Sequence, residues 1–245
     1  MRRFVEEELL DSNAGTPEEV QTSLDDLRGV NRRFGGNALH TRLFAKVVAA
    51  TPGPLTILEV ASGRADVLQA ALLPLRKQGR ELTIQLLDAN RLHFPRPELW
   101  DAALPKPECF EGNALDLPFE DNSADIVSCC LFLHHLEPDQ AAAFFGEALR
   151  VARTAVIIND LERRPDNWLF AWMGRFVFRS RISTYDAMVS VRRSYTLPEM
   201  RAMLDATGHR FELYRHRCFR FGGILWKRDP DSGKQGEHHP TGATG

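Results

Sequence analysis

The chain has 245 residues, and its 31 Lys and Arg against 33 Asp and Glu leave a formal net charge of −2, with 43% hydrophobic and 26% charged residues. That apolar share excludes a chain disordered throughout, and the near-balance of charge argues against a nucleic-acid partner, which calls for a basic stripe. No apolar run reaches the ~18–20 residues that span a bilayer, and no apolar stretch follows Arg2 and Arg3, so neither a membrane span nor a signal peptide is read.

The first 15 or so residues read as a frayed, acidic segment. Thr16-Pro17-Glu18-Glu19 opens a helix: Thr16 caps, Pro17 suits the first turn, and Glu19 completes a capping box. Val20, Leu24 and Leu27 follow at helical spacing. A second helix over 38–50 completes an N-terminal helical unit, residues 1–50, predicted to act as a lid. The stretch Asn31-Arg32-Arg33-Phe34-Gly35-Gly36 is read either as its hinge or as a plain helix turn.

From residue 55 the period changes. Leu55-Thr56-Ile57-Leu58-Glu59-Val60 is a short β-branched run of the kind buried on both faces of a sheet. A small-residue turn leads into a helix over 66–78, in which Pro74 is expected to cause a kink or an early end. Strands follow at 82–87, 108–111, 125–131 and 155–159, with a weak helix over 95–107 and a firm one over 138–151. A helix over 165–177, a capped helix from Thr196-Leu197-Pro198-Glu199 to Gly208, and two closing strands at 211–214 and 217–227 complete the body. The expected organisation is a single α/β domain at 51–228, with a helical acceptor-side insertion at about 161–195 and a disordered tail at 229–245. Four cysteines without a C-x-x-C spacing fit reduced thiols in a cytoplasmic protein. No metal-ligand spacing is found, and the His238-His239 pair in the tail is read as solvated.

In an open parallel sheet, ligands bind beyond the carboxyl ends of the strands. The first exit is Glu59-Val60-Ala61-Ser62-Gly63-Arg64-Ala65. It has one glycine where a dinucleotide fingerprint needs three, and the carboxylate of Glu59 disfavours a diphosphate and suits a cationic ligand. The second exit ends in Asp88, placed to accept the hydroxyls of a ribose. In the third, Asn113 offers a donor and an acceptor to an adenine edge. The fourth is Cys130-Leu131-Phe132-Leu133-His134-His135-Leu136. Each residue also has a structural reading: Glu59 as a helix cap, Asp88 as a turn former, and Cys129 and Cys130 as core thiols.

Taken in order, Ile57-Leu58-Glu59-Val60-Ala61-Ser62-Gly63, Leu86-Leu87-Asp88, Gly112-Asn113-Ala114-Leu115-Asp116-Leu117-Pro118-Phe119, Asp125-Ile126-Val127 and Leu133-His134-His135-Leu136 resemble the class I S-adenosylmethionine-dependent methyltransferases. The likeness is to small-molecule members such as the ubiquinone/menaquinone-biosynthesis and secondary-metabolite enzymes. It implies a doubly wound, Rossmann-like seven-stranded sheet with the last strand antiparallel. It also implies S-adenosyl-L-methionine as cofactor, held by Glu59, the backbone of Ala61, Ser62 and Gly63, Asp88, Ala89, Asn113, Ala114 and the backbone of Cys130. Arg33 is expected to meet the donor's carboxylate. Ala61 and Ala65 depart from the family's usual glycines.

The expected reaction moves a methyl group to the oxygen or activated carbon of a phenolic, quinol or polyketide-like small molecule. His134 and His135 follow the strand nearest the donor and are the candidate general bases, or else they pack and hold a loop. Trp168, Trp172, Met173 and Phe176 line an aromatic-sized acceptor pocket, or form a stripe packed on the core. Tyr185 and Tyr195 are further acceptor-side candidates. Nine arginines against four carboxylates between Arg150 and Arg193, Arg192 among them, suit an anionic or enolic acceptor or a solvated surface. A nicotinamide-dependent oxidoreductase and a non-catalytic binding module are the competing readings.

Overall fold

Leu55–Val60 forms strand β1, and period-2 alternation sends Ile57 to one face of the sheet and Leu58 to the other, both with no solvent exposure. The computed structural model describes residues 1–11, 15–216 and 219–227. The other strands are β2 (Leu82–Asp88), β3 (Glu108–Glu111), β4 (Ala124–Cys130), β5 (Ala152–Leu161), β6 (Phe211–His216) and β7 (Arg220–Trp226). They make one seven-stranded sheet of order β3-β2-β1-β4-β5-β7-β6. β1 to β5 run parallel, and β7 is antiparallel to both of its neighbours. This is the doubly wound, Rossmann-like seven-stranded sheet with an antiparallel last strand that the sequence resemblance implies.

Helices α2 (Gly36–Ala49) and α3 (Asp66–Lys77) cover one face, where Phe44, Leu68 and Leu72 meet Ile57, Ile84, Ile126 and Ile157. Helices α4 (Pro138–Val151) and α7 (Leu197–Asp205) cover the other, where Phe144, Phe145 and Met200 meet Leu58, Val127 and Val156. α2 approaches β7 closely because Gly222 is bare. A Cβ there would stand 2.8 Å from Leu39 Cδ1 and 2.9 Å from Leu43 Cδ1.

Three helices, α1 (Pro17–Arg33), α5 (Pro165–Met173) and α6 (Arg181–Arg193), gather over the carboxyl ends of the strands. α1 begins with the expected capping box of Thr16 and Glu19. Its buried Asp26 accepts the backbone N–H groups of Arg179 and Ser180 and so anchors the start of α6.

Two local expectations, on residues 1–11 and 95–107, fail for physical reasons. Residues 1–11 are tied down instead of fraying. Arg3 donates to Glu137, to the Leu136 carbonyl and to the Arg193 carbonyl, and the backbone N–H groups of Leu9 and Leu10 donate to Asp186. α3 continues three residues past Pro74 and ends at Lys77, where the proline sits in the last turn and removes only one intrahelical bond. Prolines hold residues 95–107 to one short 3₁₀ turn, Pro97–Leu99. The expected helical insertion holds, after residue 180, the helix α6, whose bounds the residue pattern did not mark. The expected tail, with His238 and His239, and Cys218 lie outside the described residues. Among the described residues, no helix is long and apolar enough to cross a membrane.

Candidate functional site

The chain passes outward from β1 to β2 and β3, then returns to β4 beside β1, so the order reverses between β1 and β4. The crevice beyond their carboxyl ends is where a doubly wound sheet binds ligands. Here it opens into a cavity of about 1540 Å³, roofed by α1, α5, α6 and residues 8–11.

The turn after β1 is held in an unusual shape. Ala61, Gly63 and Ala65 take left-handed φ of 53°, 47° and 53°. The Ser62 N–H donates to the Leu87 carbonyl at 3.0 Å and the Gly63 N–H to the Asp88 carboxylate at 2.8 Å, which ties this turn to the tip of β2. A Cβ built on Gly63 would meet nothing within 4 Å, so the backbone there faces open space.

Asp88 also accepts from the Asn90 N–H at 3.0 Å and lies 3.2 Å from His93 Nδ1. Burial pushes its carboxyl up, but the His93 partner and the two backbone N–H groups outweigh that and hold it below its ordinary range. It therefore faces the cavity ionised. Glu59, 2% exposed, accepts a hydrogen bond from the Ser128 hydroxyl, and His40 Nε2 lies 3.8 Å away. Burial pushes the Cys130 thiol far up, so its sulfur is no nucleophile near neutrality.

The turn after β4 carries His134 and His135 with their rings 4.2 Å apart. His134 is 2% exposed; its Nδ1 lies 2.7 Å from Asp160 on β5, and its Nε2 lies 3.4 Å from Glu8. Burial pulls its pKa down, but the Asp160 and Glu8 carboxylates outweigh this and raise it to about 10. His135 sits at the cavity edge with Nδ1 2.8 Å from Asp11 and Nε2 4.0 Å from Glu8. Glu8 and Asp11 carry no local sequence signal, because only the tertiary fold of residues 1–11 brings them to this end of the cavity.

The structure places Glu59, Ala61, Ser62, Gly63, Asp88, Ala89, Ala114, Cys130 and Arg33 on the wall of this one cavity, together with both histidines. Asn113 is exposed and off the wall; its Oδ1 accepts from the Leu115 N–H at 2.9 Å and closes its own turn. Of the acceptor-side residues read from sequence, Met173 is on the wall, whereas Trp168, Trp172, Phe176, Tyr185, Arg192 and Tyr195 are not. Trp172 and Phe176 are 36% and 76% exposed and pack edge-to-face on each other. Trp168 lies on the same side of α5, four residues from Trp172. The inward face of α5 is instead Asn167, Phe170 and Ala171, with Met173 at its end.

Tyr195 is buried and donates its hydroxyl to the Leu136 carbonyl at 2.7 Å. Tyr185 donates to Glu6, and Arg192 stacks on Phe4 beside Glu6. The arginine-rich stretch is largely taken up by the scaffold: Arg150, Arg153, Arg163, Arg164, Arg179, Arg181 and Arg193 all pair with carboxylates. Sequence reading missed Arg220, fully buried on β7, which lines the cavity and donates to Asn31 at 2.6 Å.

Residues 58–158 match the methyltransferase domain family. The chain is 25% identical over 191 residues to an uncharacterized methyltransferase of Synechocystis, covering 78% of this chain and 82% of that one. Among solved structures, it is similar to the plantazolicin methyltransferase BpumL in complex with a desmethyl analog and S-adenosylhomocysteine (12% identity, TM-score 0.64, 90% and 95% of the two chains). It is also similar to the magnesium protoporphyrin IX methyltransferase from Synechocystis PCC 6803 with bound S-adenosylhomocysteine (15% identity, TM-score 0.53, 78% and 82%). A third likeness is to an S-adenosylmethionine-dependent methyltransferase from Aquifex aeolicus (16% identity, TM-score 0.53, 83% and 98%).

Proposed function

We propose that the chain, whose residues 58–158 match the methyltransferase domain family and whose fold is that of the class I S-adenosylmethionine-dependent methyltransferases, is such an enzyme and methylates the oxygen or an activated carbon of a small phenolic, enolic or quinol-like molecule. S-adenosylmethionine is its cofactor, and when bound it supplies a methyl group on a positively charged sulfur, ready for in-line displacement. The strand tips fit that group. An ionised Asp88 stands at the edge of the cavity, Glu59 adds a second carboxylate, and the space above Gly63 is open.

In this reading Asp88 holds the ribose hydroxyls, and Ala89 and Ala114 flank the adenine. Asn113 stays near the adenine through its backbone, since its side chain is committed to its own turn. The backbone of Ala61, Ser62 and Gly63 supports the methionyl end, with Glu59 toward its ammonium group and Arg33 toward its carboxylate. The acceptor lies between the Cys130 backbone and the apolar wall of Phe34, Phe170 and Met173, with its reacting atom toward the histidine turn. Alignment of that atom with the methyl carbon and sulfur provides most of the rate. Its proton leaves at the end where His134 and His135 stand.

The observation that carries this reading is the open Gly63 backbone tied directly to the ionised Asp88 at the switch point of the sheet. The test is calorimetry with S-adenosylhomocysteine and with NADH, followed by turnover of labelled S-adenosylmethionine against a panel of phenols, enols and quinols. Binding of the thioether but not the dinucleotide, with label entering one acceptor class, is the expected result. Saturable NADH binding in its place would move the chain to the oxidoreductases.

A further inference from the structure

Glu8, His134 and His135 bring their ligand atoms within 4.8 Å of one another at the wall of the cavity. Both rings are oriented from behind. His134 Nδ1 lies 2.7 Å from Asp160 and His135 Nδ1 lies 2.8 Å from Asp11. An ionised carboxylate only accepts, so both Nδ1 atoms carry hydrogen and each Nε2 turns the other way; the second proton that Asp160 and Glu8 hold on His134 would leave as an ion enters. These two Nε2 atoms lie 3.4 and 4.0 Å from the same oxygen of Glu8. Ligand atoms about 2.0–2.2 Å from one transition ion stand roughly 3–3.5 Å apart. The His134–Glu8 spacing already falls in that range, and His135 Nε2, 4.0 Å from Glu8, must move inward by about half an ångström or more to close the set.

Arg193 closes the far side of the cluster, 3.7 Å from Asp11. Carboxylate-backed histidines converging with a glutamate on the wall of a cavity are the donor set of a metal site with open positions.

The geometry points to a binding site for a divalent transition ion of the zinc, cobalt or iron(II) class, ligated by His134 Nε2, His135 Nε2 and the Glu8 carboxylate, with its open positions facing the cavity. Binding needs only these residues. Its use rests on the methyl-transfer reading above. An acceptor hydroxyl on the ion loses its proton to solvent water, the oxygen–carbon bond forms as the carbon–sulfur bond breaks, and a methyl ether and the thioether leave.

The test is made first without donor or acceptor. The full chain is stripped with chelator and titrated with Zn²⁺ by calorimetry and with Co²⁺ by visible absorption. One ion per chain is expected, with the d–d bands of a four- or five-coordinate cobalt site. Glu8→Gln and His135→Ala, both folded by circular dichroism, should each weaken Zn²⁺ by about tenfold or more. The double change His238→Ala, His239→Ala should leave affinity unchanged. A folded wild-type chain that binds no ion, or an affinity that Glu8→Gln and His135→Ala do not move, overturns the site. S-adenosylhomocysteine binding, measured on the same metal-free sample, tests the methyl-transfer reading independently, so the two can fail separately.

Discussion

The backbone N–H of Gly63 donates to the carboxylate of Asp88 at 2.8 Å, so the turn that leaves β1 is fastened by the side chain that ends β2. One residue therefore shapes the turn and faces the cavity as its anion. Asp88→Ala should weaken S-adenosylhomocysteine by about 1–3 kcal/mol, the loss expected when polar partners are left unmatched. Calorimetry on the folded variant measures it, and an unchanged affinity removes Asp88 from the nucleoside site.

The same turn stores backbone strain at Ala61, whose φ of 53° lies where an L side chain is disfavoured. Ala61→Gly should stabilise the chain by about 0.5–1 kcal/mol, after allowing for the greater freedom of glycine in the unfolded chain. A rise of about 1–4 °C in the thermal midpoint is the expected reading. Ala65 shares the φ but is buried against the α3 side of the core, so Ala65→Gly should gain less.

These elements also show what the sequence could convey. The sheet was legible because β1, β4 and β5 are rich in apolar and β-branched residues, and because two helices begin with side-chain caps at Thr16 and Thr196. Asp88 and Gly63 were legible because strand tips are fixed once the strands are. α6 was not legible because its buried face is mixed: Ser183, Asp186, Ser190 and Arg193 turn inward among Ile182, Val189 and Val191, so no clean apolar stripe marks it. Glu8 and Asp11 were hidden for a related reason. They reach His134 and His135 through contacts more than a hundred residues apart in the chain, which no local pattern encodes. On α5 the four-residue spacing of Trp168 and Trp172 was seen correctly, but a stripe does not say which way it faces.

The anchoring of residues 1–11 should depend on Arg3, whose guanidinium donates to Glu137 at 2.8 Å and to the carbonyls of Leu136 and Arg193 at 2.7 and 2.6 Å. Arg3→Ala should destabilise the chain by about 1–3 kcal/mol in urea unfolding. It should also speed hydrogen exchange at Leu9 and Leu10, whose N–H groups are held by Asp186. Unchanged exchange there would mean that Asp186 alone holds the segment.

The Asp88–His93 pair gives a defined pH window. His93 is raised above its ordinary 6.5 first by the hydrogen bond to Asp88, so its contribution is complete below about pH 6.5 and is lost as pH rises through the raised value. Asp88 is held below its ordinary 3.8, so its contribution is complete above that value and is lost as pH falls through the depressed one. The stability lost in His93→Ala should therefore be greatest between about pH 4 and 6.5, at roughly 0.5–1 kcal/mol, and should shrink on the alkaline side. Denaturant curves at four pH values measure it, and a loss independent of pH would make the contact one of packing.

The two faces of α5 predict opposite kinetics. Phe170 packs edge-to-face on Phe34 with ring centres 4.9 Å apart and lines the cavity, whereas Trp172 packs on Phe176 at 6.1 Å on the solvent side. Phe170→Ala removes an aromatic wall and its partner contact, and should raise the acceptor KM by about tenfold. Its kcat should stay nearer the wild-type value, because binding is lost equally in ground and transition states. Trp172→Ala should leave both constants within about twofold. The reverse pattern would place the acceptor on the outer face, where the exposed tryptophan and phenylalanine would hold it.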